Sequence, residues 1–402
     1  MANHSRKNFL AVGVDLGSSH VRCVILAFED SNLRFLGYGQ AAARGWTRGR
    51  LTDANAITES VHYAVRLAER MARVTVESAV VGVGGATLEA FSSRGLYEFG
   101  RPRQIEPSDL SYAVHLASRV RLENDRLVLQ MLPMDFTLDG RAGFRNPKGA
   151  ICSRLEANVH VLTCSAQEHH AIVSAVHAAH LAVEETVFEA LAAAYACVLA
   201  EDRSRGVALV DIGAQGSNLI VYDGEALLRA SGIPIGGDHF TRDLAQCLKL
   251  SHADAEQLKI EYGCALVGLT SDSSLIELPS PDGRPPREAT RRHLNEILEA
   301  RAEELFLLVK AEIAKSGMEQ SLLEGVVLTG GGAQLSGMCD MAEAVLNCQA
   351  RNGLVLGVED WPEEINHPSW VTAAGLAMYS ARLKSRQEPK PRVPSLMGMV
   401  LR

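Results

Sequence analysis

Residues 9 to 15 and 20 to 28, within "FLAVGVDLGSSHVRCVILAFED", run apolar or alternate between apolar and polar positions, and they are rich in Val, Ile and Cys. Gly17 to Ser19 interrupt them, so the pattern predicts a β-hairpin. A helical period follows over 54 to 73, where Ile57, Val61, Ala64, Val65 and Ala68 form one stripe. "SAVVGVGG" reads as a buried strand. Residues 86 to 164 read as a compact inserted unit, with a helix at 107 to 121 and strands near 126 to 137 and 156 to 164. From 166 to 199 the pattern is helical twice, around a strand near 181 to 188.

The opening pattern then recurs. "RGVALVDIGAQGSNLIVYDGEALLRASGIPIGG" is again strand, acidic residue, glycine turn and strand, with a third strand behind it. Asp211 with Gly213 matches Asp15 with Gly17, and two related halves are the economical organisation. Residues 252 to 263 and 285 to 315 are helical in period, and "LLEGVVLTGGGAQLSGMCDMAEAVL" is a buried strand, a triple-glycine turn and a helix. After 381 the chain turns basic and Pro-rich, which predicts a flexible tail, and its last residues are apolar again.

With 402 residues, 47% of them hydrophobic, the chain can fill two domain cores. A net charge of −8 supplies no basic field for nucleic acid, which is not expected as a partner. The eight cysteines lie scattered without a CxxC pair, so they are expected to be buried small hydrophobes in a reducing compartment. "MANHSRKN" leads straight into a strand and does not read as a signal peptide, and "ALAAAYACVLA" at 190 to 200 is too short to span a bilayer. A cytosolic protein is expected unless something outside the core anchors it.

Backbone N–H groups hold a phosphate chain only where the backbone can come close, which glycine permits. The first turn suits that task, with Ser18 and Ser19 adding hydroxyl donors beside Gly17, and Asp15 placed to hold a hydrated magnesium ion. Asp211 would face Asp15 across a cleft and give the ion a second carboxylate. The third turn, Gly330, Gly331 and Gly332, would pack a nucleotide's adenine or ribose. Each acidic glycine turn alone is more often an ordinary structural turn, and no GxxxxGK[ST] loop occurs; the repetition is what favours a site. In "EHHAIVSAVHAAH", His170, His177 and His180 have helical spacing, but without HExxH or a suitably spaced carboxylate they read as surface or interface histidines.

In this order, the two acidic glycine turns and "VVLTGGGAQLSGM" resemble the actin-like ATPase superfamily. "VLQMLPMDFTLDGRAGFRNPKGAICSRLEANVHVLTC", "GIPIGGDHFTRDLA", "DAEQLKIEYGCAL" and "PSPDGRPPREATRRHLNEILEAR" resemble its bacterial cell-division family, FtsA, and the resemblance runs over nearly all of residues 9 to 380. It implies an α/β, actin-like ATPase fold of two lobes around a nucleotide cleft, with an FtsA-type inserted subdomain. The implied division is a first lobe core at 1–85 and 165–200, the insertion at 86–164, a second lobe core at 201–245 and 321–381, and a smaller subdomain at 246–320. A basic linker and membrane-targeting tail would occupy 382–402.

Carried over residue by residue, Asp15, Gly17, Ser18 and Ser19 would serve the first phosphate turn, and Asp211, Gly213 and Gly216 the second. Glu256 and Lys259, three apart on one helix face, would reach the nucleotide's sugar; without the resemblance they read as a surface ion pair. Glu189 would orient the attacking water, though by type alone it is equally a helix N-terminal glutamate. The second turn departs from the family's pattern, with Ala214 and Gln215 in place of glycines and Asn218 near a frequent acidic position. Added side chains would crowd the phosphates, which implies a slow ATPase used as a switch.

The resemblance further implies ATP and magnesium as ligands, self-association into filaments, recruitment of later division proteins, and binding of the FtsZ C-terminal peptide on 246–320. Arg287, Arg291, Arg292 and Arg301 are candidate contacts for that acidic peptide. The implied place is the cytoplasmic face of the inner membrane at the septum, held by Arg382, Lys384, Arg386, Lys390 and Arg392 and the apolar residues after them. A frayed terminus is the plainer reading of that tail. Two other functions fit the same turns: an actin-like adaptor of type IV pilus assembly, and a small-molecule kinase of the superfamily.

Overall fold

A computed structural model describes residues 8–47, 49–85, 87–224, 226–271, 274–279 and 287–386. The chain opens with β1 (Phe9–Leu16), β2 (His20–Glu29) and β3 (Asn32–Ala42), a ribbon of β4 (Trp46–Thr47) and β5 (Arg50–Leu51), then α1 (Ala54–Ala72) and β6 (Ser78–Val83). The insertion follows as β7 (Glu89–Gln104), α2 (Pro107–Ala117), β8 (Arg126–Leu138), β9 (Arg141–Phe144) and β10 (Ile151–Ser165). After it come α3 (Ala166–Ala178), β11 (Ala182–Phe188), α4 (Glu189–Cys197) and α5 (Ala200–Ser204).

The second half holds β12 (Val207–Ile212), β13 (Ser217–Asp223), β14 (Ala226–Ile233), α6 (Gly237–Leu248) and α7 (His252–Tyr262), then β15 (Leu275–Leu278), β16 (Arg287–Thr290) and α8 (Arg291–Ala314). It ends with β17 (Val326–Thr329), α9 (Met338–Leu346), β18 (Ala350–Asn352), β19 (Val358–Glu359) and α10 (Val371–Arg386).

Two sheets repeat one plan. The first has the order β11-β6-β1-β2-β3-β19 and the second β14-β13-β12-β17-β18. In each, an antiparallel hairpin is extended by a third antiparallel strand, while its first strand pairs in parallel with a later one. The hairpin registers coincide as well: Asp15 lies opposite Arg22, and Asp211 opposite Asn218. The strands read as apolar runs because both faces are covered. The expected stripe of α1 is buried on one face of the first sheet, and Asp53 caps that helix by accepting from Asn55 N and Ala56 N at 3.0 Å. On the other face α10 crosses β1 so closely that a Cβ at Gly13 would stand 2.7 Å from Leu376 Cβ, so only glycine fits there.

The insertion is a four-stranded sheet, β7-β10-β8-β9, with α2 packed on a small core that includes Phe136, Leu155, Ala157, Val159 and Val161. β7 had no expected counterpart: it is an edge strand, mostly exposed, and therefore lacks an apolar run. The helix expected at 107–121 stops at Ala117, and the strand expected from 156 begins at Ile151. Further corrections fall in the second half. The helix expected from 285 begins at Arg291 behind its Thr290 cap, because 287–290 pairs as β16 with β15. Residues 382–386, expected in a flexible linker, are the last turn of α10; residues 387–402 lie outside the described residues. Five cysteines are buried as expected, but Cys247 is exposed and Cys339 and Cys348 are half-buried; all eight are free thiols.

The insertion leans on the second lobe. His160 of β10 is buried, and its Nε2 accepts the backbone N–H of Ala230 on the edge strand β14 at 3.1 Å. Arg145 donates to Asp223 Oδ2 at 2.5 Å in the β13–β14 turn. Burial and the Arg229 charge hold the His160 imidazole below its ordinary 6.5. The unfolded chain therefore binds the extra proton first, so this contribution to stability is intact above 6.5 and lost as pH falls below it. His160→Asn, which keeps an acceptor but cannot titrate, is expected to flatten the loss of hydrogen-exchange protection of the Ala230 amide, relative to its intrinsic rate at each pH, as pH falls from about 7 to about 5. A wild-type profile in that variant would rule the histidine out as the cause.

Candidate functional site

A cavity of about 950 Å³ opens between the two sheets, a volume in the range of small-molecule sites. The hairpin turns bring Asp15, Gly17, Ser18 and Ser19 from one side and Asp211, Gly213 and Gly216 from the other. Gly330, Gly331 and Gly332, Glu189, and Glu256 with Lys259 complete the walls, so every residue picked from the sequence for the nucleotide and its ion lines one space.

Backbone shapes much of it. The second turn closes by Gly213 N–H donating to Gly216 O at 2.9 Å, and Gly237 N–H and Asp238 N–H then donate to Gly213 O and Ala214 O, docking the start of α6 on the turn. Gly330 has φ +82° and a Cβ there would lie 2.5 Å from Asp211 Oδ1, so this position admits only glycine. A Cβ on Gly331 would meet nothing within 4 Å. That peptide faces open space, as a ligand's flat ring or sugar requires.

Charge is unbalanced. Asp15, Asp211 and Glu189 are gathered near the half-buried guanidinium of Arg22, whose charge acts on both aspartates. Burial pushes Asp15 up to about 7, the Arg22 charge opposing and the Asp211 charge adding to the rise. Burial lifts Asp211 to about 6 against the hydrogen bond from Thr372 Oγ1, 3.0 Å from Asp211 Oδ2, and the Arg22 charge. Glu189 is raised well above the carboxylate range by burial and by both aspartates. Its Oε2 accepts from Asn218 Nδ2 at 3.0 Å, and Asn218 Oδ1 accepts Gly85 N–H at 2.8 Å, a bond pair that ties the second lobe to the first.

Three acids around one cation fit a divalent ion. Among the described residues no three His, Cys, Asp or Glu side chains could ligate one ion directly, so the fit is to an ion that keeps its water, as magnesium does.

Lys259 Nζ donates to Gly237 O at 3.0 Å, Thr241 Oγ1 at 2.8 Å and Glu256 Oε2 at 2.7 Å, so the half-buried pair also clamps α6 and is more than a surface ion pair. Gln215 donates through Nε2 to Asp238 Oδ2 at 2.6 Å and accepts from Arg242 at 3.0 Å. These bonds hold its amide on α6 instead of leaving it free to enter the phosphate space. The four arginines suggested for an acidic peptide are engaged in the fold: Arg287 with Leu248 O, Arg291 with Tyr262 O, Arg292 with Glu296, and Arg301 with Asp243 and Glu304. Sequence reasoning missed Arg22 and Thr372. The first follows from hairpin register, seven residues after Asp15 and directly across from it; the second had no local signal.

A family model described as Cell division protein FtsA matches residues 208–375, and one described as SHS2 domain inserted in FTSA matches residues 85–163. The Cell division protein FtsA of Pseudomonas aeruginosa is 34% identical over 377 residues, which cover 94% of this chain and 90% of that one. The chain belongs to the FtsA family. The FtsA of Escherichia coli (strain K12) is 31% identical over 399 residues, covering 97% and 95% of the two chains. Among solved structures, a PilM–PilN type IV pilus biogenesis complex superposes with a TM-score of 0.67 at 16% identity, over 92% of this chain and 98% of that one. MreB5 of Spiroplasma citri bound to ADP does so with 0.53 at 13%, over 94% and 97%. At such identities the likeness concerns the fold, which in this FtsA-family chain is the actin-like ATPase fold with the SHS2 insertion.

Because Asp15 of this FtsA-family chain holds its proton more tightly folded than unfolded, its contribution to stability is full below the ordinary 3.8 and is lost as pH rises through about 7. In ligand-free protein Asp15→Asn is expected to match wild type near about pH 4 and to melt several degrees higher at about pH 8. Equal melting temperatures at both values would mean that the carboxylate is not destabilised by its surroundings.

Proposed function

We propose that this FtsA-family protein binds ATP with magnesium between its lobes and polymerises. In that state it tethers FtsZ, through the FtsZ C-terminal peptide, to the cytoplasmic face of the inner membrane at the septum, where it recruits later division proteins. The observation that carries the nucleotide reading is the pair of matched turns, Asp15 with Gly17 and Asp211 with Gly213, facing one cavity from two lobes. The first-turn serines and the glycines of both turns would hold the phosphates, Glu256 and Lys259 the sugar, and Gly330 to Gly332 the base or ribose. Asp15 and Asp211 would hold magnesium through its water, and the ion would supply positive charge against the phosphates.

Glu189 is the candidate to orient water. In the ligand-free cleft burial and two neighbouring acids favour its protonated form, which takes no proton from water, and Asn218 holds one of its oxygens until the site's charge changes. Slow turnover follows, which suits a switch more than an energy-consuming enzyme. The subdomain division proposed is 1–85 with 165–200, 86–164, 201–245 with 321–381, and 246–320, with the tail from 387 as the membrane tether. The sequence relatives support cell division over pilus assembly, since the pilus likeness concerns the fold alone. Among the described residues no helix is long and apolar enough to cross a membrane.

Binding of a fluorescent ATP analogue, with magnesium and with EDTA, tests the site. Wild type is expected to bind only with magnesium, and Asp211→Asn and Lys259→Ala each to lose at least about tenfold in affinity. Equal binding by both variants would sink the assignment. Sedimentation of FtsZ with the full chain and anionic vesicles tests the adaptor role: FtsZ should pellet only when the chain is present. If it never does while ATP still binds, the pilus or kinase reading takes over.

A further inference from the structure

We infer that the exposed face of α1 is a second, electrostatic contact with an anionic lipid surface, made by the folded first lobe beside the departing C-terminal tail. Arg66 and Arg70, four apart, share one face of α1, with Tyr63, 59% exposed, one turn earlier, and Arg73 is the left-handed C-cap residue that follows the helix. All three arginines are exposed, and none of their guanidinium groups has an ion-pair or hydrogen-bond partner among the described residues. This stands out in a chain of net charge −8. The nearby carboxylates are spoken for: Glu69 accepts Val76 N–H at 2.9 Å, and Glu184 accepts from Ser78, Ser380 and Lys384. Glu59 and Glu77 bracket the stripe at its two ends.

Register places this face at the chain's exit. Phe9 pairs with Phe28 and Phe28 with Leu33, so these three mark one end of the first sheet. Gly37 lies under Ala68 and Ala72, which carries the last turn of α1 toward that end. On the opposite face of the sheet, Lys384 of the last turn of α10 donates to Leu10 O at 2.8 Å. Five residues after Arg73, Ser78 shares the Glu184 carboxylate with Lys384. Beyond Arg386 the sequence "QEPKPRVPSLMGMVLR" adds Lys390, Arg392 and a run of apolar residues. Any surface that receives those residues is held close to Arg70 and Arg73 at high effective concentration. Tyr63 and the half-exposed Met71 beside the arginines suit the boundary between headgroup phosphates and acyl chains. A free polyanion such as RNA gains no such local concentration and meets the repulsion of the whole chain.

The inference rests on the tether reading of the tail only for that local concentration, and the test separates the two. Four proteins are sedimented with vesicles of phosphatidylcholine alone and of phosphatidylcholine with phosphatidylglycerol: the full chain, the chain ending at Arg386, and each of these carrying Arg66→Glu, Arg70→Glu and Arg73→Glu. The shortened chain is expected to bind phosphatidylglycerol vesicles weakly and only at low salt, and the triple change to reduce that binding roughly a hundredfold. The full-length triple variant should keep salt-resistant binding through the tail at lower affinity. Binding by the shortened chain that ignores phosphatidylglycerol, or survives charge reversal, overturns the assignment, as does equal or tighter binding of an RNA oligonucleotide. Equal affinity of full and shortened chains would instead overturn the tail as tether. A Gln triple variant with an unchanged melting temperature checks that any loss is of charge and not of fold.

Discussion

Asp15 and Asp211 come from different halves of the chain and end up buried around one guanidinium, that of Arg22. Much else in the molecule serves to hold that arrangement. Burying two carboxylates with one cation is unfavourable by itself, because each loses water that a single partner does not replace. Each aspartate sits near the end of a central strand whose preceding residues are apolar and mostly buried, so neither can retreat to solvent without unpairing a hairpin. The strain of like charge therefore stays in the cleft, and a divalent ion with an anionic ligand is the natural relief. The site is poised for a ligand by what the fold prevents its own groups from doing.

Because the acids belong to separate lobes, whatever balances them also draws the lobes together. Two protein contacts already bridge the floor of the cleft. Asn218 on the second sheet bonds both Glu189 and Gly85 on the first, and Thr372, which opens the helix packed on the first sheet, bonds Asp211 on the second. Together they are three hydrogen bonds, enough to set an orientation and few enough to yield to a small rotation. Motion at the phosphate turns would reach α10 directly, since Thr372 begins the helix whose last turn holds the exit of the chain.

The paired hairpins were legible in the sequence because central strands covered on both faces read as continuous apolar runs, and the acidic glycine turn occurs twice at the same offset. All the residues picked from those turns, together with Glu189, Glu256 and Lys259, line one cavity. Three things were not legible. β7 is a long edge strand with little to bury, so periodicity passes over it. α10 begins "VTAAGLA", small residues wedged between the sheet and α4, so it shows no polar stripe, and its charged last turn looks like the start of a tail. Arg22 needs the register of a hairpin, not its existence, to be placed opposite Asp15.

Gln215 shows how local pattern and packing can point in different directions. A side chain in a glycine turn suggests obstruction, yet Asp238, Arg242 and His252 form a network at the start of α6 and α7 that takes the amide into it. The same network fixes the first turn of α6, whose N–H groups already close on Gly213 and Ala214. Replacing two glycines thus exchanges bare backbone for a stiffer turn, tied to the helix that Lys259 clamps from the other side. The first turn is held differently, by Ala43 N–H donating to Ser19 O at 2.8 Å, so the two halves repeat the hairpin but not the contacts that fix its turn.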